Sequence, residues 1–190
     1  MNSLFKDNKK IFRASTLIIF LLIYLFLIKQ IPWRLVFSNT FASGGDTGTH
    51  NYLAFYASKI FPKIKWWSPD WTAGFPFLYF YPPLFFYLIS FFVRFASLPA
   101  TILFKLATLA GTFLFPLSLF LCLKILDFKF PIPEVGALFS LFYLFLEKFS
   151  IYGGNLPSTL AGEFSFSFSF SLFFIFIALL VKAQEEKKYS

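Results

Sequence analysis

Nine of the 190 residues are acidic, and three of them sit where a carboxylate could do chemistry. Asp46 lies in SGGDTGTHN, Glu163 follows GGNLPSTLAG, and Asp70 lies in WWSPDWTAGFP. A carboxylate can deprotonate a hydroxyl or hold a divalent cation through oxygen. Each of the three also has a plainer role. Asp46 or Thr47 fits a helix N-cap ahead of an amphipathic run, and a cap can double as a ligand. Gly44, Gly45 and Gly48 beside it allow close backbone approach. Glu163 fits a first helical turn, where the dipole favours negative charge, although an acid at the mouth of an apolar span is costly. Asp70 beside Pro69 fits a turn. The other acids have bland settings: Asp7, Glu185 and Glu186 in the tails, Asp127 and Glu134 in LDFKFPIPE, and Glu147 next to Lys148. One His (His50) and one Cys (Cys122) remove disulfide frameworks and most Cys/His metal sites.

The elements that must position these acids are apolar. The chain is 58% hydrophobic with 33 Phe, and 14% charged, against about 25% in soluble domains. A soluble globule cannot hide that much apolar surface, and disorder requires low hydrophobicity. The reading is an all-α integral membrane protein. The net charge of +8 fits loops facing anionic lipid, with membrane lipids as partners and no nucleic acid.

Uncharged runs of about 18 residues locate the spans. They are Ala14–Ile31, Leu106–Leu123, Val135–Tyr152 (interrupted by Glu147 and Lys148) and Phe164–Val181. A signal peptide is the alternative for the first run, but Ile31-Pro32-Trp33-Arg34 is a poor cleavage site. Trp71–Val93 is uncharged but broken by Gly74, Pro76 and Pro82-Pro83. It fits an interfacial or re-entrant helix starting at PPLFFYLISFFV. With four spans, Lys6, Lys9, Lys10, Arg13, Lys124, Lys129, Lys182, Lys187 and Lys188 all lie inside. A fifth span would move the last five of these outside. Four spans put both termini in the cytoplasm and leave residues 34–105 as one long outer loop, on a single membrane domain spanning 1–190.

All four Trp fall between residues 33 and 71, so this loop is expected to lie on the membrane surface. Within it, Tyr52, Leu53, Phe55, Tyr56 and Ile60 form an apolar helix face, with Asn51, Ser58 and Lys59 away from it. The alternating FSFSFSFS resembles a strand locally, but it runs into LFFIFIALLV, and an isolated strand cannot satisfy its backbone in lipid. Helix is expected, with serines facing other helices.

The segments GGDTGTHNYLAFYASKIFPKIKWWSPDWTAGFPFLYFYPPLFFYL and GGNLPSTLAGEFSFSFSF resemble a prokaryotic multi-span membrane family. That family carries a domain labelled 6-pyruvoyl-tetrahydropterin synthase-related. It is similar in plan to the GT-C glycosyltransferases, which use polyprenyl-phosphate sugar donors on the outer face. The resemblance implies catalytic roles for Asp46 and Glu163, with a divalent cation (Mg or Mn) held by the same two acids. It implies substrate contacts from His50, Asp70, Lys63, Lys65, Arg94 and Lys105. Solvated or snorkelling bases are the plain alternative for each Lys and Arg. Pterin chemistry is not implied, since those synthases use His-ligated zinc and this chain has one His. Family members are longer, so the chain reads as an N-terminal part or split gene, with a second chain supplying further spans. A non-catalytic transporter fragment or assembly subunit on the same scaffold stays open.

Overall fold

The computed structural model describes residues 2–63, 67–70, 73–148 and 153–187. It is mostly helical. In chain order the helices are α1 (Asn2–Gln30), the single turn α2 (Trp33–Val36), α3 (Thr47–Ile60), α4 (Leu84–Ala96), α5 (Ala100–Ile125), α6 (Ile132–Leu144), the short α7 (Leu156–Ser158) and α8 (Phe164–Lys187). A π turn, Thr159–Glu163, joins α7 to α8. Between α3 and α4 a small antiparallel ladder pairs β1 (Trp67–Ser68) with β2 (Phe75–Pro76).

Among the described residues, three helical stretches are long and apolar enough to cross a membrane: Ile11–Gln30, Ala100–Ile125 and Leu156–Lys187. The expected span 106–123 thus begins six residues earlier, directly after Pro99. The expected span 135–152 differs more. Helix α6 starts at Ile132, ends at Leu144 and has 13 residues, about 20 Å against a core of about 30 Å. Residues 149–152 lie outside the described part. Leu146 and Lys148, just beyond α6, are held by Asn155, a residue only 2% exposed. Its Nδ2 donates to Leu146 O (3.0 Å) and Lys148 O (2.8 Å), and its Oδ1 accepts from Ser158 N. A side chain that supplies these bonds replaces the helix ladder where the helix stops.

Helix α1 runs antiparallel to α5, and α8 runs parallel to it. Phe20 meets Phe120 edge-on at 4.9 Å, and the Tyr24 hydroxyl donates to Phe113 O. Phe104 meets Phe164 at one end of α5, and Lys182 pairs with Asp127 beyond the other. The α5–α8 contact is close because residue 111 is Gly: a Cβ there would stand 2.6 Å from Phe168 N. Ser171 Oγ donates to Gly111 O at 3.0 Å. Small residues and a hydroxyl bridge are how apolar helices pack without a hydrophobic difference to exploit. FSFSFSFS is therefore helical. Ser165, Ser167 and Ser171 are buried, while Phe166, Phe173 and Phe176 are exposed.

The largest core cluster joins α3, α4, α5 and the start of α8 through Leu53, Ala54, Phe77, Phe86, Phe104 and Phe164. One expectation fails here. Asn51 is 0% exposed, not turned away from the apolar face. Helix α3 packs against α4, α5 and the π turn, so more than one of its sides is covered. Helix α4 is one-sided: Phe85, Phe86 and Ile89 are buried, and Leu88, Phe91, Phe92 and Phe95 are exposed.

Candidate functional site

Asp46 occupies the N-cap position of α3, yet its side chain makes no capping hydrogen bond. The residue is exposed. The turn is held by other groups. Thr47 N donates to Gly44 O, and Thr47 Oγ1 donates to Leu160 O at 2.5 Å. Asp46 N donates to Ala161 O at 2.7 Å. The start of α3 is thus docked on the π turn that leads into α8.

Two glycines permit that docking. Gly45 has φ +50, and a Cβ on it would lie 2.3 Å from Ala161 O. Gly162 has φ +134, and a Cβ on it would lie 2.9 Å from Asp46 Cβ. Only glycine meets both demands without strain. Glu163 is the next residue, half-buried, immediately before α8. The two acids singled out in the sequence are therefore brought to one place by a backbone contact.

Tyr81 and His50 complete the surroundings. The Tyr81 hydroxyl donates to Gly162 O (3.1 Å) and accepts from Ser165 Oγ (2.9 Å). Burial raises its phenol pKa above the ordinary range; the charges of Glu163 and Asp46 add to this, and the Ser165 bond opposes it. His50 follows Asp46 by one helical turn, is 8% exposed, and lies 4.1 Å from the Tyr81 ring. Burial holds its imidazole below the usual range, with Asp46 partly opposing. Its Nδ1 is buried without a hydrogen-bond partner among the described residues, as are both polar side-chain atoms of Asn51. Tyr81 was not among the residues expected at the site. Its only signal in the sequence is its place directly before Pro82-Pro83, which delay the helix until Leu84.

The remaining candidates lie elsewhere. Asp70 accepts a hydrogen bond from the Tyr52 hydroxyl. Tyr52 is six residues beyond Asp46, on another face of α3. Burial and the Asp70 bond push its phenol up to about 12. Lys63 is exposed just after α3, and Lys65 lies outside the described residues. Arg94 is in the last turn of α4, about 15 Å along the helix from Leu84. Lys105 is committed to the fold: its Nζ donates to Leu35 O (2.8 Å), Ser38 O (2.9 Å), Ser38 Oγ (3.3 Å) and Thr40 Oγ1 (3.2 Å). It borders a cavity of about 430 Å³ whose wall also includes Ile31, Val36, Thr47, Leu109 and Leu160. This largely apolar space adjoins the Asp46 turn through Thr47.

Asp46 and Glu163 offer two carboxylates to a cation. Among the described residues no three His, Cys, Asp or Glu side chains come together as a metal-holding group. The described residues alone do not build a cation cage here. Compared with family models, curated proteins and solved structures, the chain matches none.

Proposed function

We propose that this chain is a GT-C-like membrane glycosyltransferase module that takes a sugar from a polyprenyl-phosphate donor. One observation carries the reading. Asp46 holds an exposed carboxylate at a helix N-terminus, spends it on no cap, and is packed against the Gly162–Glu163 turn. In this mechanism Asp46 takes the proton of an acceptor hydroxyl as its oxygen bonds to the anomeric carbon. The bond from that carbon to the phosphate oxygen breaks, and the phosphate leaves with the electron pair. Glu163 is the second acid. The apolar cavity beside Thr47 is where the first isoprene units would lie. No step is routed through a divalent cation, because its cage would need ligands beyond these two acids.

The reading carries a topology. The chain passes the membrane four times, in α1, α5, α6 and α7–α8. Asp46 and Glu163 then share the outer face of the plasma membrane, with both termini in the cytoplasm. The placement of both acids at the end of α5 where Phe104 meets Phe164 supports this arrangement. A second chain contributing further spans belongs to the same proposal. A non-catalytic subunit is the second reading, and Lys105 favours it, because its ammonium is taken up by the 35–40 loop and is not free for a phosphate.

Asp46→Asn and Glu163→Gln test the proposal. Each should cut sugar transfer from a polyprenyl phosphate by about 10²–10⁴-fold, with the melting temperature kept. Unchanged transfer in both folded variants removes the acid assignment and leaves the second reading.

A further inference from the structure

The opposite end of α5 holds a second group of charges, and it is built differently. Lys124 is about 28 Å along the helix from Lys105, close to one hydrocarbon thickness. There α1, α5 and the start of α6 surround a cavity of about 460 Å³. One wall is aromatic: Phe12 stacks on Phe130 at 4.8 Å, and Phe120 stands beside them. Leu17 extends the apolar side.

Two cations, Arg13 and Lys124, line the same cavity. Both are exposed, and neither has a carboxylate partner among the described residues. The Lys124 ammonium stands 5.8 Å from the centre of the Phe120 ring. The one acid present does not neutralise them. Glu134 is 1% exposed, its Oε1 accepts from Thr16 Oγ1 at 2.6 Å, and its Oε2 is buried without a partner among the described residues. The cavity therefore presents two exposed cations, while its one carboxyl is buried and tied to Thr16.

We propose that this cavity binds the headgroup of an anionic phospholipid. Arg13 and Lys124 meet the phosphate, with the guanidinium fork matching two of its oxygens. The aromatic wall and Leu17 meet the glycerol and the first acyl carbons. Three observations select a lipid over a free phosphate. The site lies where the apolar stretch of α1 begins, at Ile11, and where α5 ends, at Ile125, which is headgroup level for helices of this length. It opens between helices, as headgroup sites between membrane helices do. Much of its lining is apolar, which a bare anion would leave unused.

The test uses the full purified chain in detergent, titrated with phosphatidylglycerol, phosphatidylcholine or inorganic phosphate and read by native mass spectrometry. Phosphatidylglycerol should bind more tightly than phosphatidylcholine, and inorganic phosphate should not compete. Arg13→Gln and Lys124→Gln should each weaken phosphatidylglycerol by about fivefold. Both positions are exposed, so folding should survive, which a thermal melt checks. Lys129→Gln, an exposed cation at the same end outside the cavity, should change nothing. Unchanged binding in both Arg13→Gln and Lys124→Gln, equal weakening in Lys129→Gln, or phosphate binding as tightly as the lipid would each overturn the proposal.

Discussion

At the Ala100 end of α5, Lys105 gives its ammonium to the 35–40 loop while Asp46 keeps its carboxylate free of any cap. At the Ile125 end the roles are exchanged. Glu134 is buried and held by Thr16, while Arg13 and Lys124 remain exposed and unpaired with any described carboxylate. Each end thus ties one kind of ionisable group into the fold and leaves the other kind available. A buried charge must be compensated, so it acts as structure. A charge left in solvent beside a rigid backbone contact costs little to keep and can meet a ligand. The first end therefore suits a hydroxyl or a cation, and the second suits an anion.

The first end depends on backbone geometry, and this gives the sharpest contrast. Gly162→Ala should destabilise the chain by about 2–3 kcal/mol, because the residue would combine φ +134 with a Cβ 2.9 Å from Asp46 Cβ. Gly48→Ala, in the adjacent turn, should be neutral to slightly stabilising. Its Cβ would meet only Ala42 O at 3.7 Å, and Ala is the better helix former by about 1 kcal/mol. Thermal melts in one detergent compare the two. Equal melting temperatures would break the claim that the Gly162 contact docks α3 on the π turn.

The second end depends on one side-chain bond, so its expected effect is smaller. Thr16→Val leaves Glu134 Oε1 buried without its donor, which should cost about 1–3 kcal/mol. Adding Glu134→Leu removes the stranded carboxylate and should recover most of that loss. A double variant as unstable as the sum of the two singles would show that the Thr16–Glu134 bond is not what holds α1 to α6.

Much of the helical plan was legible in the sequence. The cores of α1, α5 and α8 are uncharged runs closed by Lys or Arg, and lipid allows such runs little but helix. FSFSFSFS was readable for the same reason, despite its strand-like alternation. Helix α6 was misjudged because its apolar run continues past Leu144, while Leu146 and Lys148 just beyond are held by Asn155. Nothing local announces that role. The burial of Asn51 and the contacts of Lys105 were not legible for a related reason. Their partners and covers come from elements far away in sequence, and helical periodicity shows only one face at a time. At the candidate site Asp46 and Glu163 were visible as out-of-place acids. Tyr81 was not, and neither were the positive φ values of Gly45 and Gly162 that join the two segments.

The central claim is that the start of α3 and the start of α8 form one site. Asp46→Cys with Glu163→Cys, in a Cys122→Ser background, tests it in intact membranes with a short bifunctional thiol reagent. The account predicts an intramolecular cross-link in this pair and none in Asp46→Cys with Lys124→Cys. If each single cysteine labels but the Asp46/Glu163 pair fails to link, the two acids do not share a site and the account is wrong.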